Sequence, residues 1–394
     1  MTQPAGDGDV VTDVPARLVA YPESTAEAAS LIADHQDLAV VVRGAGTKID
    51  WGMPPERLDL IIDTSRLTGV VEHAAGDLIT IVRAGTPMAD LDLPGQQLAL
   101  DSPFPAATIG GTVAANVSGP RRTLYGTARD LLIGMTVVRP DGTVAHSGGK
   151  VVKNVAGYDL SKLFTGSYGT LGLITECAFR LHPLPAASAV VHATVPSPAV
   201  AGRLVGAVLA AQLVPSAIEV NAPPGAPVEV AVMVEGSPPG VRHRATILAE
   251  LLGADAAEGV PDWWNQLPWQ PGAVGLKLTA ALSRVPDLLV AAGEIGGITV
   301  RGSAGSGVLY AGLPGGDSSG CSEQSAERIA GVVEQLRAAA TRAGGHAVVL
   351  TAPAPVRHLV DMWGPVGGLA LMRRVKDQFD PGHRFAPGRF VGGI

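Results

Sequence analysis

Apolar positions fall mostly in short runs broken by turn residues, and only a few stretches repeat at helical spacing. Ala28, Ala29, Leu31 and Ile32 make an apolar stripe behind a capping Ser24 or Thr25, which predicts a helix over 25–34. Residues 1–14 follow neither period and are expected to be a flexible tail. Runs rich in β-branched residues predict strands at 38–42, 58–63 and 78–82. Residues 88–93 begin a second predicted helix, stopped by Pro94-Gly95. A strand over 132–140 meets the hairpin turn Asp141-Gly142 before a return strand over 143–146. A long strand over 171–181 runs into His182-Pro183-Leu184-Pro185, which we take as a domain boundary.

Beyond that boundary the pattern changes. Helices are predicted over 198–212, 241–252 and 322–343. Strands are predicted over 228–235, 275–279, 298–302 and 347–351. Strands alternating with helices indicate a second α+β domain. A last helix, 367–378, stops at Phe379-Asp380-Pro381-Gly382.

Composition narrows the class. A chain of 394 residues has material for two or three domains. Apolar residues are 46% but aromatics only 4%, so Ala, Val, Leu and Ile must build the cores. The net charge of −7 argues against nucleic acid, which needs a basic face. Cys177 and Cys321 are too few for an iron–sulfur site or a disulfide framework. Reduced thiols in a cytoplasmic protein are expected. Residues 1–13 lack the basic and apolar regions of a signal peptide, and no apolar run of ~18 residues predicts membrane insertion. The chain is expected to be soluble, or held at the inner membrane through partners.

Three glycine clusters, at 44–46, 110–111 and 166–172, carry the candidate chemistry. Glycine lets backbone N–H groups close on an anion with no Cβ in the way. The common nucleotide fingerprints fail. A dinucleotide fingerprint starting at Gly44 needs Gly or Ala where Ile49 stands. A P-loop ending at Gly149-Lys150 needs glycine at Val144 and Ser or Thr at Val151.

The ordered set is Arg43-Gly44-Ala45-Gly46-Thr47-Lys48, Thr108-Ile109-Gly110-Gly111, Asn116 with Gly119, Tyr125-Gly126, and Gly166-Ser167-Tyr168-Gly169-Thr170-Leu171-Gly172. It resembles the FAD-binding domain of the p-cresol methylhydroxylase (PCMH)/vanillyl-alcohol oxidase type. Phe379-Asp380-Pro381 and Pro387-Gly388-Arg389 resemble the closing motif of its 2-hydroxyacid oxidoreductase branch. Within that branch, residues 43–52, 153–163 and 164–172 resemble the FAD-binding E subunits of glycolate oxidases. The resemblance implies an α+β chain with a two-subdomain FAD domain over 15–185. A cap domain over 186–365 and a C-terminal segment, 366–394, returning to the FAD domain complete it.

It also implies a cofactor, FAD, and a set of contacts. Gly44, Ala45, Gly46 and Thr47 would wrap the pyrophosphate with Lys48 close by, and Arg43 would either hold phosphate or end a strand. Thr108, Ile109, Gly110, Gly111, Ala114 and Asn116 would line pyrophosphate, ribose and flavin. Gly119 and Gly126 would continue that wall, with Arg121 near the flavin unless it is a loop charge. Gly172 and Ile174 would hold the adenine end, with Gly169 among the cofactor contacts, and Arg389 would lie beside the cofactor. Tyr158 and Asp159 either belong to the site or brace a loop. Residues 43–52 hold no His and 101–126 no Cys, the tethering residues of many relatives, so binding should be non-covalent. At Ala386 the branch usually carries Asn, and at Tyr168 its catalytic members usually carry an acidic residue.

The metal-binding histidine pair and His-x-Gly-Asp-Gly-Asn segment of the catalytic branch are not found after residue 185. His192, His243, His346, His358 and His383 have other spacings, so no catalytic metal is expected. Asp262-Trp263-Trp264 with Trp269 would cover the flavin, meet a partner, or simply pack. Two functions compete. One is a flavin subunit working with a homologous catalytic flavoprotein subunit and an iron–sulfur subunit on a small 2-hydroxy acid. The other is a stand-alone FAD oxidoreductase on a small alcohol or acid. A redox-inert scaffold is the third reading.

Overall fold

The structure is a computed structural model that describes residues 2–150, 159–253, 256–314 and 321–394. Tyr158, and the part of the 153–163 stretch before Asp159, lie outside the described residues. The chain divides into two compact units. The first holds Met1–Ser118, Gly126–Leu184 and Pro365–Ile394, and the second holds Gly119–Tyr125 and Pro185–Gly364. Among the described residues no helix is long and apolar enough to cross a membrane.

The first unit has two main sheets. One orders its strands Thr2–Pro4, Leu18–Ala20, Leu60–Asp63, Val40–Arg43, the last three parallel. Its helix, Thr25–Asp34, starts where Ser24 accepts from the Glu27 N–H at 3.1 Å, and it buries Ala28, Leu31 and Ile32. The other sheet is antiparallel, in the order Val144–Gly148, Leu132–Val138, Leu173–Arg180, Ile79–Arg83, Val70–Ala74. Its core packs Val82, Met135, Cys177 and Phe179 against Ile109, Val113 and Phe164.

Residues 2–15 are not a loose tail. Thr2–Pro4 adds an antiparallel edge strand to Leu18–Ala20, and the Asp9 carboxylate accepts from Arg43 at 2.7 Å. Backbone pairing and an ion pair order a segment that hydrophobic period alone leaves blank. The helix expected over 88–93 shrinks to one turn, Met88–Asp90. Leu91 turns extended, and Pro94 excludes its predecessor from helical backbone. By contrast, the helix expected from 241 begins earlier, as Pro238–Leu252. Proline at the first helical position gives up only an N–H that has no partner there.

The last 30 residues belong to the first unit and are fixed by buried cations. Helix Leu369–Phe379 sets Phe379 edge-on to Phe164, with ring centroids 5.5 Å apart. Lys376, with no solvent exposure, donates to Asp380 Oδ2 at 2.6 Å and to the carbonyls of Thr170 and Phe385, both at 2.8 Å. Arg384 donates to the carbonyls of Leu38, Pro140 and His35. Phe385 then bridges in parallel to Val40.

The second unit is built on an eight-stranded sheet. Its order is Ala257–Glu258, Ala187–Val195, Val228–Gly236, Ala217–Ala222, Thr299–Ser303, Val308–Leu313, Val274–Thr279, Ala347–Thr351. Helices Pro198–Ala210, Pro238–Leu252, Val285–Ile295 and Glu323–Arg342 pack with one another and with the sheet.

Replacing Lys376 with methionine keeps the volume but leaves the Asp380 carboxylate buried without its cation. That costs roughly 3–5 kcal/mol, which at roughly 2–4 °C per kcal/mol lowers the unit's unfolding midpoint by about 6–20 °C. A thermal scan with an unchanged midpoint would show that the pair does not hold the segment in place.

Candidate functional site

Three glycine loops of the first unit converge on one cleft of about 790 Å³, part of it continuous with solvent. The first follows strand Val40–Arg43. A Cβ on Gly44 would collide with the Thr108 side chain, so only glycine lets this loop meet the second. Gly46 has φ +72°, a left-handed conformation that side chains resist. The second loop leads into helix Ile109–Ala114, capped by Thr108, whose hydroxyl accepts from the Gly111 N–H at 3.3 Å. The third is bonded to the second, because the Gly166 and Tyr168 N–H groups donate to the Val113 and Ala114 carbonyls at 3.0 and 2.9 Å.

The charges of this cleft are one-sided. Arg43, Lys48 and Arg389 line it, and among the described residues no Asp or Glu does. Arg43 is already committed, with Nε on Asp63 at 2.8 Å and Nη2 on Asp9 at 2.7 Å. Lys48 donates to Thr47 Oγ1 at 3.0 Å and lies 4.8 Å from the Phe104 ring centroid. Burial pushes its ammonium down to about 8. Burial also lowers Arg389, to about 10, although Asp50 and Tyr168 favour its charge. The Arg389 guanidinium donates to the Ile49 and Trp51 carbonyls at 2.6 and 2.9 Å, which clamps the end of the first loop. Behind the loops, Asn116 Oδ1 and Ser167 Oγ are buried without a hydrogen-bond partner. Cations without acids, glycine loops and orphaned polar atoms suit a phosphate-bearing, polar ligand.

Of the residues singled out from sequence, Arg43, Gly44, Ala45, Gly46, Thr47, Lys48, Thr108, Gly110, Gly111, Ala114, Gly169, Gly172, Ile174 and Arg389 line this cleft. Five do not. Ile109 is wholly buried in the core. Asn116, at φ +48°, sits behind the lining. Gly126 turns the chain beside Asp130. Gly119 and Arg121 group with the second unit, where Arg121 pairs with Glu235 at 3.2 Å. Its guanidinium therefore has a carboxylate partner of its own. Asp159 accepts from Ser161 and stands 3.9 Å from Lys162, which is loop bracing. Sequence reasoning missed Thr64, Ala84, Ala115 and Ile49 as lining residues. Small or β-branched residues just past a strand, at a helix end or within a loop carry no signal for them. Tyr168 also lines the cleft, at φ +55° and with its ring 5.6 Å from that of Phe390. Its unusual residue type was visible in the sequence, but its place in the wall was not. Among the described residues no three His, Cys, Asp or Glu converge to hold a metal ion.

Comparison with known proteins agrees with this geometry. Residues 16–148 match a family described as FAD binding domain. Glycolate oxidase subunit GlcE of Escherichia coli (strain K12) is 39% identical over 155 residues, covering 38% of this chain and 44% of that protein. Glycolate oxidase subunit GlcD of Bacillus subtilis (strain 168) is 32% identical over 208 residues, 51% of this chain and 44% of that protein. The chain thus spans less than half the length of these relatives. An alkyldihydroxyacetonephosphate synthase structure aligns with TM-score 0.71 at 17% identity, over 96% of this chain and 78% of that one. At that identity the likeness shows the fold alone, an architecture of mixed helix and sheet.

Lys48 makes the cleft testable before any ligand is added. Its pKa of about 8 in the folded chain lies below its ordinary 10.5, so the folded state binds fewer protons than the unfolded between those values. Stability of the ligand-free protein should therefore rise with pH across that window, and Lys48→Met should lack this part of the rise. Urea midpoints at about pH 7.5 and about pH 9.5 measure it. Equal rises in both proteins would mean that Lys48 is ordinarily solvated.

Proposed function

Because residues 16–148 form an FAD-binding domain with FAD as its cofactor, we propose that this chain is the flavin-carrying subunit of a complex oxidising glycolate or a related 2-hydroxy acid. The observation that carries the reading is the cleft of the first unit, lined among the described residues by three glycine loops and three cations and by no carboxylate. The likeness to GlcE, 39% identical over 155 residues, supports the choice of substrate class.

In this reading the FAD pyrophosphate lies against the N–H groups of Gly44, Ala45, Gly46 and Thr47, with the Lys48 ammonium beside it. Thr108, Gly110 and Gly111 extend the wall, and Ala114, Gly169, Gly172 and Ile174 supply its apolar and backbone surface. Arg389 acts through the loop, holding Ile49 and Trp51 so that the first turn keeps its shape. The bound group supplies acceptance of two electrons and their onward transfer. The chain's residues bind it, orient it and exclude water.

Partners follow from what the chain carries. It lacks the histidine pattern with which the catalytic branch binds substrate and takes its proton, a task that needs a base within hydrogen-bond reach. Two cysteines supply no cluster for onward electrons. A homologous catalytic flavoprotein subunit and an iron–sulfur subunit complete the pathway. The FAD domain, over 15–185 with 366–394, and the domain over 186–365 are the parts of this subunit.

Three experiments test this reading. FAD should be non-covalent, since neither glycine loop offers His or Cys for a bond. Acid precipitation should release all the yellow colour, and colour retained in the pellet would contradict it. Gly46→Glu should yield colourless protein, because the new side chain strains a φ of +72° and sets a carboxylate against the phosphates. Normal FAD content in that variant would remove the first loop from the site. For the complex, tagged purification from the native host should bring down a larger flavoprotein and a cysteine-rich chain. A protein isolated alone that oxidises glycolate at about 1 s⁻¹ or faster would show that it works by itself.

A further inference from the structure

The two faces of the second unit's sheet differ in chemistry. One face is apolar: Val191, Val232, Ile218, Val300, Leu309 and Leu276 alternate along their strands and are buried. On the other face a single row crosses seven strands. In register it reads Thr194, Glu229, Asn221, Arg301, Tyr310, Lys277, Val348. Side chains at paired positions stand roughly 5 Å apart at Cβ, so neighbours in the row interact.

Half of this row is internally satisfied. Glu229 accepts from Asn221 and from the Trp263 indole, each at 2.8 Å. Arg301 donates to Asn221 Oδ1 at 2.9 Å and lies 6.0 Å from the Trp263 ring. One cation and one carboxylate thus close a network around a tryptophan. The other half is not balanced. Lys277 stands opposite Tyr310, and no carboxylate acts on its ammonium. Among the described residues neither the ammonium nor the Tyr310 hydroxyl has a hydrogen-bond partner. The nearby charge is Arg122, a second cation, whose Nε is spent on the Gly119 carbonyl at 2.9 Å. Burial pushes Lys277 below its ordinary value, and Arg122 adds to that.

A wall stands beside this pair. The Trp269 ring lies edge-on to Tyr310, with centroids 6.0 Å apart. It rests on Gly275, two residues before Lys277 on the same face, where any Cβ would collide with the indole. Pro268 rests likewise on Gly312, two residues after Tyr310. Glycine at both positions seats the Pro268-Trp269 segment against the sheet, so this tryptophan is placed by the sheet's own sequence.

We propose that Lys277 and Tyr310, walled by Trp269, form a binding subsite for the carboxylate of a small organic acid. An ammonium and a phenol side by side can donate to both oxygens of one carboxylate, and an anion there gives the half-buried ammonium the counter-charge it lacks among the described residues. The identity of the acid, a 2-hydroxy acid, rests on the function proposed above, whereas the subsite rests on this unit's residues alone. Lys277 and Tyr310 are binding residues and take no proton from the substrate.

Calorimetric titration of the FAD-loaded protein with oxamate, a carboxylate with no oxidisable α-hydroxyl, reads the site without turnover. Oxamate should bind saturably, and its neutral amide analogue oxamide should not. Lys277→Met should weaken oxamate by at least about tenfold, and Tyr310→Phe by about fivefold. Lys277→Arg should stay within about threefold of the parent, since it keeps the charge. FAD content should stay unchanged in all three. Absent oxamate binding, equal binding of oxamide, or unaltered affinity in Lys277→Met overturns the proposal. If that variant fails to fold, unaltered affinity in Tyr310→Phe, which keeps the ring against Trp269, does so instead. The two readings fail separately. Lys277-dependent oxamate binding in a protein whose native complex is inert toward 2-hydroxy acids keeps the subsite and removes the oxidation. Glycolate oxidation by the native complex, with oxamate binding unaltered in Lys277→Met, does the reverse.

Discussion

The arrangement of the first unit depends on where the Lys376 ammonium goes. A fully buried lysine is costly unless paired and hydrogen-bonded, and here its three donors meet Asp380 Oδ2 and the carbonyls of Thr170 and Phe385. Those acceptors come from the helix end, the third glycine loop and the strand-like closing segment. One charge therefore fixes the distance between the C-terminus and a loop about 200 residues earlier (|i−j| = 206). From there Arg384 ties the same segment to carbonyls at Leu38 and Pro140, and Arg389 reaches the carbonyls at Ile49 and Trp51. The glycine loops supply the concave surface, and these three cations keep it in register. Buried pairs of this kind contribute little net stability compared with apolar packing, but they tolerate few alternative placements.

Electrostatic asymmetry follows from the same economy. The first unit spends its acids on structural cations: Asp63 and Asp9 on Arg43, and Asp380 on Lys376. None faces the cleft, so Lys48 and Arg389 stand there with their charges held at a cost. An anion entering the cleft finds donors already oriented and meets no competing carboxylate. Binding energy is then drawn from strain already built into the folded protein, which is the meaning of preorganisation at such a site.

Much of this was legible in the sequence, for local reasons. Glycine at 44, 46, 110 and 111 marks close approach or left-handed backbone whatever the tertiary context, and the loops containing them do line one cleft. The helix at 25–34 announces itself by its cap and its apolar stripe. What stayed hidden depends on partners distant in the chain. Lys376 carried no signal of its own and Asp380 read only as part of the closing motif; the fold alone brings them together in the interior. The ordering of residues 2–15 requires the Arg43 guanidinium and an edge strand to receive it. Arg121, expected either near the flavin or as a loop charge, is paired instead with Glu235. Ala386 is a mixed case. Its φ of +46° costs roughly 1–2 kcal/mol in a residue with a Cβ, and an asparagine, which the resemblance expects, tolerates such backbone better. The buried surroundings, Val11, Val41 and Ile61, explain why a methyl is accepted instead.

The second unit obeys the opposite rule. Its charged side chains lie on one sheet face, where alternation should put solvent, yet Glu219, Asn221 and Ser303 are buried there. Where polar groups are buried, each must find a partner or wait for one. Glu229, Asn221, Arg301 and Trp263 satisfy one another, and Arg121 satisfies Glu235. Removing a carboxylate from this row would expose a cation as surely as adding a lysine has done at 277. A sheet that needed only rigidity would carry an apolar residue at that position, as it does at Val348 beside it. Retaining an ammonium with no counter-charge among the described residues weakens the folded state, a cost that an anion at the proposed subsite would offset. The tryptophans that appear in sequence as one cluster divide between these two tasks. Trp263 closes the neutral network, and Trp269 borders the charged gap.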